Sequence, residues 1–338
     1  MCSLSESLAE RLDRELRARS RKARHHLLAA FAEAASTIDR LEEPPSIVFL
    51  GNPFEGEREI QALTRLANGF VVYLPPLALM VDPGPDVISR SLAAGIQPAR
   101  LKAVFVSHPH IDHYAGAEAV IEEMCLLMMV RRGYLLLSAD TARSGAISAF
   151  HRGAAPRGGP TTMVLEPGKS FELLGTVITP VPAYHPGGGC GLILEKGGLK
   201  IGYTSDTNYV VSYRGKDGVH QLSGGDPFQP LDDFEEIQEY RQDLKDRYSK
   251  VDVLIANVGG HNSGARDELS SLGLAHLLRG SQVKLCLLTH FLRTLLVPED
   301  LRERVARYVE AASGVKTMVA CSCLRLDLAP YANAERRN

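Results

Sequence analysis

Short apolar runs separated by polar turns fill most of the chain after residue 44. Runs of β-branched and aliphatic residues such as Ala103–Val106 have the length and composition of buried strands. Strands are predicted at 47–50, 70–74, 77–81, 103–106, 134–138, 171–174, 177–181, 191–195, 199–203, 253–256 and 284–288, with two more before the C-terminus.

Segments with helical spacing lie between these strands or after them. They are predicted from residue 115 and at 234–248, 269–278 and 298–312. Two stretches rich in turn-forming residues, 151–160 and 208–233, are predicted to be irregular. Strands in two groups with helices outside them predict an α+β fold, a four-layer αβ/βα sandwich.

Residues 3 to 41 follow a different pattern, in which leucines recur at near-helical spacing until Pro44 and Pro45 end it. We therefore predict a helical N-terminal extension over 1–43 and a second domain over 44–338. Seven basic residues crowd the extension: Arg11, Arg14, Arg17, Arg19, Arg21, Lys22 and Arg24. One interpretation is an arm for nucleic acid or a membrane surface; the other, which we favour, is a solvated helix face that docks or forms a homodimer through its leucines.

The composition is that of an ordinary globular protein. With 338 residues and 45% apolar content the chain can bury a large core. Its net charge of −2 gives no general attraction to polyanions, so a nucleic-acid substrate would need a local basic patch. Six scattered cysteines, no apolar leader and no apolar run of 18 residues predict a cytoplasmic protein without a membrane span.

The predicted strand Ala103–Val106 runs into a cluster of metal-binding residue types: His108, His110, Asp112 and His113. Side chains at positions i and i+2 of an extended segment point the same way, so the first two histidines can share one metal while Asp112 and His113 turn toward a second. A single histidine here would be a surface or capping residue. Three of the 11 histidines within six positions indicate two adjacent metal sites instead.

Three more polar residues follow directly after predicted strands: His185, Asp206 and His290. Strand ends of a sandwich meet at one rim, where such side chains can complete a metal site. Each residue taken alone also fits an ordinary role, as a hydrogen-bonded loop histidine or a turn cap.

The segment His108-Pro109-His110-Ile111-Asp112-His113 resembles the His-x-His-x-Asp-His signature of the metallo-β-lactamase superfamily of metal-dependent hydrolases. The resemblance extends from about residue 44 and implies the same four-layer fold for 44–338. It implies that one metal is held by His108, His110, His185 and Asp206, and the other by Asp112, His113, Asp206 and His290. It also implies that Asp82, otherwise a plain turn residue, orients the metal-binding loop.

Two divalent metal ions are the implied cofactors. Zinc suits the histidines best, and manganese or iron also suits a site that contains Asp112 and Asp206. A carboxylate such as Asp206 can bridge two cations because its two oxygens partly neutralise their repulsion.

The segments Ser205–Thr207 and Leu287–Phe291 resemble the ribonuclease Z and phosphodiesterase branch of the superfamily. This implies a phosphodiesterase that acts on a nucleotide or nucleic-acid-like substrate through a hydroxide bridging both metals. The alternatives are a lactonase or thioesterase acting on a small acyl substrate and, third, a non-catalytic binding protein.

The chain departs from that branch at the proton donor. Ribonuclease Z has a Gly-His-Ser-Thr histidine where this chain reads Ala-Arg-Asp-Glu-Leu-Ser at 265–270. His261 is the expected substitute, with a rim loop residue as the alternative, so Asp112 and His261 are the predicted catalytic residues. A Gly/Pro-rich substrate arm is not evident, which counts against transfer-RNA processing.

Overall fold

The computed structural model describes residues 7–38, 43–51, 69–222, 234–262, 266–296 and 298–332. Contacts between backbone positions divide the chain into two compact units, Met1–Leu41 and Glu42–Asn338. Each unit is described by itself below.

The described part of the first unit contains one long helix, α1 (Leu8–Thr37). It begins with a capping box, because the Ser7 side chain accepts a hydrogen bond from the Glu10 amide while the Glu10 carboxylate accepts one from the Ser7 amide. The prediction of an N-terminal helix is confirmed. Its large apolar side chains are exposed: Leu8, Leu12, Leu16, Leu27 and Leu28.

The second unit contains two large sheets. Over the described residues the first sheet comprises β1 (Ser46–Phe49), β2 (Phe70–Leu74), β3 (Leu77–Val81), β4 (Ala103–Val106), β5 (Arg131–Ser138), β6 (Gly159–Leu165) and β17 (Arg325–Asp327). Their order is β17-β1-β2-β3-β4-β5-β6, and β3 to β6 run parallel. Strands β1 to β4 are buried along their whole length, as the apolar runs predict.

The second large sheet comprises β7 (Phe171–Leu173), β8 (Thr176–Pro182), β9 (Cys190–Lys196), β10 (Leu199–Tyr203), β14 (Val253–Asn257), β15 (Leu285–Thr289) and β16 (Thr317–Val319). Their order is β16-β15-β14-β10-β9-β8-β7 in the described parts of the chain. Strands β10, β14, β15 and β16 are parallel neighbours, whereas β7 to β10 form antiparallel hairpins.

Seven helices accompany the sheets where the second unit is described: α2 (Val87–Ala93), α3 (Ile111–Tyr114), α4 (Ala117–Met124), α5 (Ala139–Ser144), α6 (Gln242–Tyr248), α7 (Ser271–Leu278) and α8 (Arg302–Ser313). One apolar cluster joins the facing sides of the two sheets, with Phe105 from one and Leu287 from the other. A second lies between the second sheet and α6 to α8. The predicted sandwich with helices outside is confirmed.

The irregular stretches predicted from the sequence contain more structure than expected. Strand β6 begins inside the predicted loop 151–160, after a π-helical turn at Phe150–Ala154. The polar stretch 208–233 contains β11 (Val210–Gly215) and β12 (Gly218–Gln221), and its residues 223–233 lie outside the described ones.

The helix predicted at 234–248 is wrong in its first half. Residues Glu236–Tyr240 form β13, which pairs with β11 in a small sheet of order β12-β11-β13. Only Gln242–Tyr248 is helical. The segment Glu-Ile-Gln-Glu-Tyr has good helix formers, but pairing with β11 decides its conformation.

The carboxyl ends of β4, β10, β14 and β15 emerge at one rim of the sandwich, because these strands are parallel to their neighbours. The residues that follow them are the candidates for chemistry. No helix in the described ranges is both long enough and apolar enough to cross a membrane.

Candidate metal centre

The seven residues predicted as metal ligands converge at this rim, although they come from both sheets. His108, His110, Asp112 and His113 follow β4, whereas His185, Asp206 and His290 follow β8, β10 and β15. Their nitrogen and oxygen atoms form groups close enough to hold a metal: His108, His110 and His185; His108, His113 and Asp206; and Asp112, His113 and His290.

The histidines of the first group face one another through ring nitrogens. Nδ1 of His110 lies 3.1 Å from Nε2 of His185. The carboxylate oxygen Oδ2 of Asp206 lies 3.6 Å from Nε2 of His108 and 4.0 Å from Nε2 of His185. Three imidazoles and one carboxylate therefore surround a single point.

The second group is more tightly spaced. Nε2 of His290 lies 3.1 Å from Nε2 of His113 and 3.0 Å from Oδ2 of Asp112. Nε2 of His113 lies 3.4 Å from Oδ2 of Asp112, and Oδ2 of Asp206 lies 3.2 Å from His113 and 3.4 Å from His290. Ligands about 2.1 Å from a tetrahedral metal are about 3.4 Å apart, so these separations fit one coordination shell.

Two further observations fit a pair of metals. Nε2 of His108 is fully buried and has no hydrogen-bond partner in the structure, which would be costly if nothing else satisfied it. Oδ2 of Asp206 lies near the histidine nitrogens of both groups, as a bridging carboxylate does. The donor set of imidazoles and carboxylates is that of a transition-metal site.

Hydrogen bonds to the far nitrogen fix which nitrogen of three histidines faces the cluster. Nδ1 of His113 donates to Asp82 Oδ2 at 2.9 Å, and Nδ1 of His185 donates to the Asp267 carbonyl at 2.7 Å. The Ser107 hydroxyl donates to Asp82 Oδ2 and accepts from Nδ1 of His108 at 3.0 Å. Each ring therefore turns Nε2 toward the cluster, and this nitrogen can bind a metal once it carries no proton.

Asp82 organises the metal-binding loop from below. The residue is fully buried, and its Oδ1 accepts a hydrogen bond from the Ser107 amide at 2.7 Å. Its Oδ2 also accepts from the Tyr203 hydroxyl at 2.6 Å. Because Tyr203 ends β10, this carboxylate ties the two sheets together directly beneath the cluster, as the orienting role requires.

Asn257 holds the carboxylate of Asp206, a role that the sequence does not suggest. Its side-chain amide donates to Oδ1 of Asp206 at 2.6 Å, which leaves Oδ2 to face the histidines. Asn257 is fully buried at the end of β14. Its position after an apolar run is the same signal that identified the neighbouring ligands.

Three residues at the rim have left-handed backbone conformations although none is glycine. Asp82, Ser205 and His290 have φ values of 47°, 56° and 57° and stand at the ends of β3, β10 and β15. Such conformations cost on the order of 1–3 kcal/mol each and are found where a side chain must be aimed. Here they turn the chain sharply as each strand reaches the cluster.

Burial and the neighbouring charges shift the pKa values of different residues in the cluster in opposite directions. Burial, with His113 next to it, holds the pKa of His108 well below its ordinary value. Burial also opposes protonation of His290, but Asp206 and Asp112 outweigh it and raise its pKa to about 9. Burial disfavours the ionised Asp206 carboxylate, yet His290 and His113 hold its pKa well below the usual range.

The second group thus combines protonated imidazoles with ionised carboxylates in the metal-free chain. A bound cation would take the place of those protons, so binding would release them.

His261 stands apart from these groups in the contacts that the structure gives it. Its Nδ1 lies 2.7 Å from the Ser271 hydroxyl, and its ring meets Tyr308 edge-on at 4.9 Å. Burial lowers its pKa below the ordinary value, so the ring is neutral near pH 7. Its role as proton donor stays a prediction.

Glu268 is a site residue that sequence reasoning missed. It is 9% exposed, and one of its carboxylate oxygens lies within 4.8 Å of ligand atoms of His185 and Asp206. Burial and the Asp206 charge raise its pKa well above the ordinary value in the metal-free chain, an effect that a divalent cation would oppose. The only signal in the sequence was its place in the 265–270 segment, where ribonuclease Z has histidine.

Residues 78–218 match the family model described as the β-lactamase superfamily domain. The matched segment is 141 residues long, less than half of the chain, and it carries six of the seven candidate ligands. An uncharacterised protein of Methanocaldococcus jannaschii is 33% identical over 152 residues, which cover 43% of this chain and 56% of that protein. Ribonuclease Z of Pyrococcus furiosus is 38% identical over 48 residues, 14% of this chain and 16% of the relative. The aligned part thus spans about half or less of either relative.

Solved structures of metallo-β-lactamase proteins share the fold. The metallo-β-lactamase fold protein YhfI of Bacillus subtilis has a TM-score of 0.60 at 16% identity, over 84% of this chain and 99% of the other. A diphosphatase of the PhnP family gives 0.54 at 17% identity, over 83% and 96%. The short form of human tRNase Z gives 0.52 at 14% identity, over 83% and 98%. The metallo-β-lactamase fold predicted from the histidine motif is confirmed.

Proposed function

We propose that this protein is a hydrolase with a dinuclear metal centre, most favourably zinc. The observation that carries the proposal is the convergence of seven ligands on two adjacent points that share Oδ2 of Asp206. His108, His110, His185 and Asp206 would hold one metal. Asp112, His113, Asp206 and His290 would hold the other.

Metals bound there would act as Lewis acids and bring the pKa of a shared water toward neutrality. The chain's own residues prepare the site for this chemistry. Asp82 and Ser107 fix the rings of His113 and His108, and Asn257 fixes the bridging carboxylate of Asp206. Side chains held in this way lose little freedom when a metal or substrate arrives, which favours a reaction needing accurate placement.

A phosphodiester of the nucleotide or nucleic-acid type is the substrate class we favour. Support comes from the segments around Asp206 and His290, which resemble the ribonuclease Z branch, and from the relative and structural neighbours named as ribonuclease Z, tRNase Z and a diphosphatase. Two divalent cations flanking one reaction centre also suit a phosphoryl group, because they neutralise charge on the oxygens that attack and leave.

The test is to assay the zinc-loaded and manganese-loaded protein against three substrates: a phosphodiester, a lactone and a thioester. We expect turnover of the phosphodiester to exceed that of the acyl substrates. Preferred turnover of the lactone or thioester would replace the phosphodiesterase assignment with an acyl hydrolase. If the folded protein holds metal but turns over none of the three substrates, the remaining interpretation is a non-catalytic binding protein.

A further inference from the structure

Among the described residues, Glu268 groups with the candidate ligands His185 and Asp206 but does not belong to the proposed ligand set. It lies in the turn that enters helix α7, and two backbone contacts hold this turn against the end of β14. The Gly259 amide donates to the Leu269 carbonyl at 3.1 Å, and Gly260 forms a β-bridge with Ser270. The position of Glu268 is therefore fixed by the fold.

The chain leaves room for this side chain at Gly259. A Cβ atom on that residue would lie 2.4 Å from Cβ and 2.7 Å from Cγ of Glu268. Any side chain at position 259 would thus push Glu268 away from the centre. Glu268 can therefore occupy this position at the rim only because residue 259 is a glycine.

The carboxylate group points toward the ligands without bonding to them. Its Oε1 lies 3.8 Å from Nδ1 of His185, longer than a hydrogen bond. Its Oε2 is buried and has no hydrogen-bond partner in the structure. Leaving such an oxygen unsatisfied is unfavourable, so its partner is to be sought in what the centre binds.

The charge of the centre supplies a reason for a third carboxylate. Two divalent cations bring four positive charges, whereas Asp112 and Asp206 bring two negative ones and neutral histidines bring none. A positive excess would remain beside His185, whose Nδ1 lies 3.8 Å from Oε1 of Glu268. An ionised group at this distance stabilises the occupied centre by direct electrostatic attraction.

We infer that Glu268 is a positioning residue that balances the charge of the metals beside His185 and Asp206 and raises the affinity of the protein for these metals. This inference rests on the proposed metal centre. A neutral or cationic side chain at this place would leave the positive excess uncompensated.

The experiment compares the wild type with Glu268→Gln and the matched control Glu303→Gln. Both variants replace a glutamate by glutamine, but Glu303 is an exposed residue in the first turn of α8. Zn²⁺ affinity is measured by competition with a chromophoric chelator. The melting temperature of each metal-free protein is measured in parallel.

We expect Glu268→Gln to weaken Zn²⁺ binding by about 10- to 100-fold, the usual loss when a group supporting the ligands is removed. Its metal-free melting temperature should equal or exceed that of the wild type, because glutamine has the same shape and brings no charge that burial would penalise. Glu303→Gln should bind Zn²⁺ as the wild type does.

Unchanged Zn²⁺ affinity in Glu268→Gln, or an equal loss in Glu303→Gln, would overturn the inference while leaving the metal centre in place. A lower metal-free melting temperature in Glu268→Gln would also overturn it, because the residue would then support the fold and not the metals. A wild-type chain that binds no Zn²⁺ would remove the proposed function and the inference together.

Discussion

At the scale of single residues, the centre depends on side chains that others hold in place. Four of the candidate ligands are oriented by hydrogen bonds to neighbouring groups. These pairs are His113 with Asp82, His108 with Ser107, Asp206 with Asn257, and His185 with the Asp267 carbonyl. Such supporting contacts decide whether a group of histidines can bind a metal tightly or only loosely.

Removing one ligand should empty the site. We expect His110→Ala to lose most of the bound metal and most of the hydrolytic activity together, because three donors remain where four were placed. His220→Ala is the matched control, since this histidine bonds to Asp217 in the small sheet. Elemental analysis of both purified proteins checks the expectation, and full metal content in His110→Ala would contradict it.

His261 is tested by the leaving group of the substrate. A general acid contributes about 100- to 10,000-fold when the leaving group is poor and little when it is activated, as with nitrophenolate. If His261 donates the proton, His261→Ala should slow a natural substrate far more than a nitrophenyl ester and leave metal content unchanged. Equal losses on both substrates would assign the residue a positional role.

The metal-free protein should lose stability as the pH rises. Asp206 and Asp112 raise the pKa of His290 from 6.5 to about 9 in the folded chain, against burial and the neighbouring His113. A raised pKa means that the stabilisation is complete below about pH 6.5 and is lost as the pH rises through about 9. The shift corresponds to on the order of 3 kcal/mol.

Urea unfolding of the chelator-treated protein at pH 6 and pH 9.5 measures this change. His290→Ala should flatten the dependence. A metal-free wild type that is equally stable at both values would show that the cluster relaxes when its protons leave.

The sequence predicted the residues that carry a strong local signal and missed those that do not. The histidines that follow β4 form a recognisable motif, and His185, Asp206 and His290 each come shortly after an apolar run. Glu268 reaches the centre through a turn whose path depends on contacts with β14, and no spacing in the sequence encodes those contacts.

At the scale of elements, burial separates correct predictions from wrong ones. Strands β1 to β4 are buried along their whole length, so their apolar runs identify them. The residues of strand β13 are exposed or half-buried, and their individual propensities favour a helix. Pairing with β11 makes the segment a strand instead. Isolated propensity cannot reveal such pairing between distant segments.

Helix α1 combines exposed leucines with seven basic and four acidic side chains, a net charge of +3. We expect a chain that starts at Ser46 to keep its metals and its turnover of small substrates, because the ligands all lie in the second unit. It should lose any oligomer formed through the leucines, as measured by sedimentation.

The alternative interpretation of α1, an arm that binds nucleic acid, is tested by measuring nucleic-acid binding. If the full chain binds nucleic acid with strong salt dependence and the shortened chain does not, α1 is a basic arm. Lost metal in the shortened chain would contradict both interpretations.

At the scale of the whole molecule, the metals would join the two sheets, because ligands after β4 meet ligands after β8, β10 and β15. A ligand that binds only the folded state stabilises it by about 4 kcal/mol when present at 1,000 times its dissociation constant. We therefore expect chelation to lower the melting temperature of the wild type clearly. His110→Ala, already depleted of metal, should respond little to the chelator.

The order in which ligands appear along the chain has a consequence for biosynthesis. His113 and His290, whose ring nitrogens lie 3.1 Å apart, are separated by 177 residues. A nascent chain that has emerged only through β14 presents the histidine motif, His185 and Asp206, but no complete second site. Metal insertion at that site would therefore have to follow synthesis through β15, and a product that ends before His290 would hold at most the first metal.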